Sequence, residues 1–475
     1  MRWLARLIRS ALLLVLLFVV AIGGWLFLSP PELLRVGDGY AAKIVCSNAF
    51  IAGRDPQLAL AEDVQAPGNP LLRLIRVSVD RGSGIVTARI LGLFAPNYAL
   101  YREGLGCTTV PDGDLAAARA AASIDTNRAV AAATPGAPWP DGDQITADGA
   151  VSRLVADPSL SGPGMRAVIV VKAGRIIAEA YGDGFNKDVP LLGWSMTKTV
   201  NAAIVGRLIY GGRLSLADRD LLPQWYGDVR ARISLADLLG MESGLAFDED
   251  YGAVTDVTRM LYLEPDMAGM AASSPQQAPA GKRFHYSTGT GLLLSRIWMN
   301  CFTDQRQALA FPREALFSPL RMSSAVLEPD EHGTFVGGSY LYATARDWAR
   351  FAQFLLQDGV WHGERLLPTD FMTAMRTPSE ASEGSYTKAQ AWSHGPGGSA
   401  GELGLPMDSF WMLGHDGQSI AIVPSAGVVL VRLGLTPDRL GYRPQKLLKE
   451  ILNTRPPAAT LVRTGGIVQE GRTHQ

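Results

Sequence analysis

Gly193-Trp194-Ser195-Met196-Thr197-Lys198 opens a run in which Val200, Ile204 and Leu208 recur every fourth residue and Ala203 widens the stripe. That spacing predicts a helix packed by one face, with Ser195 at its mouth. Side chains three apart on a helix are neighbours, so the Lys198 ammonium is expected beside the Ser195 hydroxyl. A serine hydroxyl attacks poorly unless a base takes its proton. An amine one turn away can do that, and a helix N-terminus offers N–H groups to developing negative charge. Read alone, Ser195 fits a nucleophile and a helix N-cap alike, because serine is a preferred cap. The same spacing recurs at Ser385-Tyr386-Thr387-Lys388, but no apolar stripe follows it and its neighbours predict a surface loop.

Two stretches further along carry polar groups at element ends. Pro279-Ala280-Gly281-Lys282-Arg283-Phe284-His285-Tyr286-Ser287-Thr288 is a turn-rich approach to a helix over residues 289–298, which puts Tyr286 on a loop at a helix start. Trp411-Met412-Leu413-Gly414-His415-Asp416-Gly417-Gln418 runs into a hairpin, so its polar trio is expected on or beside an edge strand, with a glycine where backbone approaches a ligand. That hairpin spans residues 419–423 and 428–433, and a second spans 167–171 and 175–181. Hairpins at both ends with helical residues 195–357 between them predict an α+β fold. One antiparallel sheet flanked by helices would be built from the two ends, beside a mostly helical lobe. The cleft between the two is the expected site of chemistry.

Outside that unit the chain opens with Arg2, Arg6 and Arg9 ahead of an uncharged, nearly all-apolar run over residues 11–28. This is long enough to approach a bilayer span and longer than the core of a cleaved signal, although Ala21-Ile22-Gly23 has the small-x-small look of a processing site. A membrane anchor over residues 1–30 is expected, with its basic flank inside and the rest of the chain exported. Residues 31–115 alternate apolar runs with turns and predict a small strand-containing accessory domain, including a hairpin over 74–79 and 84–93. Cys46 and Cys107 both fall there, and two cysteines in an exported segment predict a disulfide, while Cys301 reads as a core residue. Residues 116–145 are an Ala- and Pro-rich linker, 146–455 the main domain and 456–475 a loose tail. A net charge of −1 argues against a nucleic-acid partner, and no Cys or His spacing suggests a metal or other cofactor.

Taken together, Ser195-Met196-Thr197-Lys198, Tyr286-Ser287-Thr288 and His415-Asp416-Gly417 resemble the three motifs of the serine β-lactamase and penicillin-recognising hydrolase superfamily. The similarity is to its class C β-lactamase-like branch, which includes family VIII carboxylesterases and 6-aminohexanoate-dimer hydrolases. Gly212-Arg213-Leu214-Ser215-Leu216-Ala217-Asp218, Leu235-Ala236-Asp237-Leu238-Leu239-Gly240-Met241-Glu242-Ser243-Gly244-Leu245 and Ala343-Thr344-Ala345-Arg346-Asp347-Trp348-Ala349-Arg350-Phe351 add to it over residues 150–452. The resemblance implies Ser195 as acyl-enzyme nucleophile, with Lys198 and Tyr286 as proton-transfer partners. It also implies an oxyanion held by the backbone N–H groups of Ser195 and Gln418, with His415, Gly417 and Thr288 beside the substrate. A neighbouring ammonium is expected to lower the Tyr286 phenol towards neutrality.

Two departures bear on the substrate. Thr288 stands where class C β-lactamases have asparagine, and His415 where they have lysine. A histidine is only partly charged near neutral pH, and Asp416 beside it further weakens a clamp for the carboxylate of a β-lactam. The expected activity is therefore that of an esterase or amidase on small, less acidic substrates. A D-alanyl-D-alanine carboxypeptidase or weak β-lactamase is the enzymatic alternative, and an inactive wall-binding protein the alternative of another class. Gly397-Gly398-Ser399-Ala400-Gly401 matches the α/β-hydrolase elbow in letters only, since neither a strand before it nor a helix after it is predicted.

Overall fold

The structure, a computed structural model, describes residues 2–66, 68–122, 124, 134 and 136–454. The tail expected over 456–475 and the later part of the alanine-rich stretch lie outside them. Helix α1 (Arg2–Leu28) contains the 26 residues Trp3–Leu28, long and apolar enough to cross a bilayer, and none of its apolar window is buried.

After Ser29-Pro30-Pro31, helix α2 (Glu32–Phe50) lies on an antiparallel sheet ordered β1 (Ile75–Asp80), β2 (Ile85–Ile90), β3 (Phe94–Arg102), β4 (Gly106–Val110). The expected hairpin is present with Ile75 opposite Ile90 and Asp80 opposite Ile85. The sequence reading did not find α2, β3 or β4. Helix α2 buries Asp38, Lys43, Ser47 and Asn48 alongside Val36 and Ile44, so polar residues interrupt its inward stripe. A disulfide joins Cys46 of α2 to Cys107 of β4 across 6.1 Å between their Cα atoms.

The second sheet is the one expected from the two ends of the main unit. After α3 (Gly149–Ala156) come β5 (Met165–Lys172) and β6 (Arg175–Tyr181), then α4 (Met196–Tyr210), α5 (Thr288–Met299) and α6 (Ala345–Leu356) in the middle of the chain. Strands β7 (Phe410–Gly414), β8 (Gln418–Val423), β9 (Val428–Gly434) and helix α7 (Gln445–Asn453) close it. The strand order is β7-β8-β9-β5-β6, all antiparallel, with Leu430 opposite Val170. Alternation along the strands serves two layers. Ile169, Val171, Val429 and Val431 share a core with Trp348 and Phe351 of α6. Val168, Val170 and Leu430 pack with Val151 and Val155 of α3 and Leu447 and Ile451 of α7.

The N-terminal segment is docked on the helical lobe through buried polar contacts. Lys43 Nζ lies 2.5 Å from Glu328 Oε2, and Glu328 Oε1 accepts from Ser47 Oγ at 2.8 Å and Cys107 N at 2.6 Å. Arg102 Nη2 donates to the carbonyls of Pro329 at 3.0 Å and Asp330 at 2.9 Å. Trp139 of the turn-rich stretch is also buried, and the next carbonyl, Pro140 O, accepts from Arg350 Nε at 3.0 Å.

Candidate active site

Ser195 caps α4 by its backbone alone: its side chain makes no capping hydrogen bond, which leaves Oγ free for other partners. The residue before it, Trp194, holds a left-handed φ of 48°, a conformation that costs about 1–3 kcal/mol for a non-glycine residue. Gly414 at the end of β7 meets this turn so closely that a Cβ there would lie 2.3 Å from the Gly193 carbonyl oxygen. The sheet edge and the Ser195 turn are thereby pressed together.

Lys198 is buried one turn into α4, and its three donors each have an acceptor: Ser195 Oγ at 3.0 Å, Thr288 Oγ1 at 3.0 Å and Gly338 O at 2.8 Å. Burial pushes its ammonium down to about 8, opposed by the nearby Glu249 carboxylate. Gly338 can come this close because it has no side chain; a Cβ would sit 2.8 Å from Thr288 O.

Tyr286 packs against Tyr386 and Trp392, with ring centroids 6.0 and 5.3 Å away, and its ring lies 4.7 Å from Lys198 Nζ. Lys198 Nζ lies 3.0 Å from Ser195 Oγ and 4.7 Å from the centre of the Tyr286 ring, so the three side chains meet around that ammonium. The expected lowering of the phenol does not occur. Burial dominates, Tyr386 and Glu249 add to it, and the hydroxyl is pushed well above 10. Of the two basic groups at Ser195, the one brought towards neutrality is Lys198.

Glu249 was not foreseen. It accepts from Thr288 N at 2.7 Å and from the Thr288 hydroxyl through its other oxygen. Its carboxyl is pushed up by burial, with Lys198 and the two Thr288 contacts opposing. A hydroxyl has one proton, so Thr288 donates to Glu249 and accepts from Lys198, which makes it a bridge between them. Thr288 is fully buried in this network. The only sequence signal was the acidic run Asp248-Glu249-Asp250 in a loop, and acidic loops are ordinary.

His415-Asp416-Gly417 forms the tight turn between edge strand β7 and β8. His415 lies edge-on to Trp194 at 5.5 Å and stacks on Tyr251 at 5.0 Å, with Nε2 3.5 Å from Asp416 Oδ2. Gly417, at φ 82°, turns its carbonyl to Arg432 Nη1 at 3.1 Å. The Gln418 side chain is used up within the turn, bonding Gly434 through both ends of its amide. Ser399 of the elbow-like motif is a helix cap in a capping box with Glu402.

The sequence model of the beta-lactamase family matches residues 147–445, well over half of the chain. The chain belongs to the beta-lactamase family. It is a serine hydrolase of that family, and Ser195, Lys198 and Tyr286 lie inside the matched residues. The 6-aminohexanoate-dimer hydrolase of Paenarthrobacter ureafaciens is 25% identical over 298 residues, covering 57% of this chain and 73% of that protein. Among solved structures, a putative 6-aminohexanoate-dimer hydrolase from Bacillus anthracis aligns with a TM-score of 0.52 at 22% identity, over 63% of this chain and 80% of its own. A putative beta-lactamase from Bacteroides dorei aligns at 0.49 and 20% identity, over 62% and 95%. At these identities the structural likeness bears on the fold alone.

Proposed function

We propose that the chain is an exported, membrane-anchored hydrolase that cleaves a small ester or amide through an acyl-enzyme on Ser195. The observation that carries this reading is a buried amine, Lys198, held 3.0 Å from a serine hydroxyl that has no capping role. With its ammonium near 8, about a tenth of Lys198 is free amine at pH 7. That amine takes the Ser195 proton as Oγ attacks the carbonyl, and the N–H groups of Ser195 and Gln418 receive the oxyanion. Tyr286, kept protonated by burial, gives its proton to the leaving group and regains one from Lys198. Deacylation repeats the steps with water as the nucleophile, and its proton returns to Ser195 through the same pair. His415 is paired with Asp416, so this end of the cleft favours substrates without a carboxylate to clamp.

The anchor reading rests on α1, whose apolar length is unburied and follows Arg2, Arg6 and Arg9. The Cys46–Cys107 disulfide suits an oxidising compartment. The test of the chemistry is an intact-mass measurement of a fluorophosphonate adduct, expected on the full chain and absent from Ser195→Ala. An adduct surviving that substitution, or none on the parent, refutes the assignment. Turnover of a chromogenic cephalosporin above that of a short-chain nitrophenyl ester would move the reading to a β-lactamase.

A further inference from the structure

Between the N-terminal segment and the Ser195 turn lies a cavity of about 260 Å³. One side is aliphatic, with Leu34 from α2, Leu72 from the turn before β1, and Ile90 at the end of β2. The opposite side is formed by Trp194, Tyr251 and His415. Trp194 immediately precedes Ser195, and His415 packs on the rings of both Trp194 and Tyr251. The cavity therefore has a largely aliphatic end in the N-terminal segment and an end lined by Trp194, the residue next to Ser195, and by His415 and Asp416.

Its rim supplies a second observation. Leu33 and Leu71 line the cavity and are also 43% and 44% exposed. Leu74 continues this surface, and Leu91 and Leu93 of the β2–β3 turn extend it, joined by a hydrogen bond of 2.8 Å from Leu91 N to Leu74 O. Helix α1 ends a few residues before Leu33 and touches β3. Clustered exposed leucines beside an apolar helix suit the surface of a bilayer better than water.

We propose that this cavity holds the unbranched aliphatic chain of an acylated substrate whose carbonyl is presented to Ser195, and that the chain is drawn from the bilayer through the leucine rim. This rests on the hydrolase reading above and adds the substrate class to it. A sugar or peptide in the same place would leave polar atoms unpaired against Leu34, Leu72 and Ile90, whereas each methylene of an alkyl chain gains by leaving water.

The full chain in phosphatidylcholine vesicles is assayed with nitrophenyl acetate, nitrophenyl octanoate and a long-chain acyl ester embedded in the vesicles. Leu72→Trp, on a half-buried turn position, fills the cavity without touching the catalytic groups. It is expected to lower kcat/KM about tenfold or more on the octanoate and the embedded ester, while acetate stays within about twofold. Equal loss on all three, or loss on none, overturns the cavity assignment. Cleavage of octanoate by the parent chain with the embedded ester untouched overturns delivery from the bilayer and assigns the cavity to dispersed acyl esters. A dansylated aliphatic alcohol, read by fluorescence, is expected to bind Ser195→Ala and not Leu72→Trp. Binding without fluorophosphonate labelling of the parent chain defeats the hydrolase reading alone, and labelling without binding defeats the cavity alone.

Discussion

As an ammonium, Lys198 donates to Ser195, Thr288 and Gly338 at once, and it can accept the serine proton only after losing one of its own. Its active form is the deprotonated one, so kcat/KM on a neutral ester is expected to climb as pH rises towards about 8 and to level off above it. Glu249 holds the proton on Lys198, so Glu249→Gln should move that limb to lower pH; an unmoved limb would show that the two are not coupled. Lys198→Arg, with a guanidinium that does not deprotonate, is expected to cost about 10²–10⁴-fold in kcat. That Lys198 lies beside Ser195 was legible because a three-residue spacing on a helix makes neighbours, whereas the approach of Tyr286 to them was implied only by the resemblance. Glu249 was not legible, because it reaches Thr288 from a loop and nothing in the order of residues measures that distance. The Tyr286 expectation failed for a related reason: charge was visible in the sequence, burial was not.

Helix α2 shows what element-level reading misses. Hairpins β5–β6 and β8–β9 are nearly continuous β-branched and aliphatic runs broken by turn residues, and they were readable at once. In α2 the inward face carries Lys43, whose partner Glu328 lies 285 residues away, so its burial has no local signature. Burial lowers Lys43 and raises Glu328, and the charge of each opposes the shift of the other. Lys43→Met leaves the buried Glu328 carboxylate without its cation and takes the ammonium from over the Tyr340 ring, and a loss of about 3–5 kcal/mol is expected in urea unfolding. Adding Glu328→Gln, which can still accept from Cys107 N, should recover much of it. A double variant no more stable than Lys43→Met would mean that the lost stability came from packing and not from the stranded charge.

At the scale of the whole molecule, the disulfide and the apolar helix bear on different properties. Reducing the Cys46–Cys107 bond frees a loop of 61 residues and is expected to lower stability by about 4 kcal/mol, measured by unfolding with and without reductant. Removing residues 1–29 should instead release the protein from the membrane fraction and leave its nitrophenyl acetate turnover unchanged, since α1 buries none of its apolar window. A truncated chain that still sediments with membranes would place the attachment elsewhere. The docking of residues 31–115 against the helical lobe, unlike either of these features, was not readable in advance, because it depends on polar pairs such as Arg102 with the Pro329 carbonyl.

Strand β9 completes the central sheet by pairing with β5, and more than 250 residues separate Val170 from its partner Leu430. A ribosome delivers the first of these long before the last, so an emerging polypeptide cannot assemble the crevice around Ser195 until β9 has emerged. A protein secreted as it is made would thus thread through a translocation pore unfinished, and the hydrolase would first become competent on the far side.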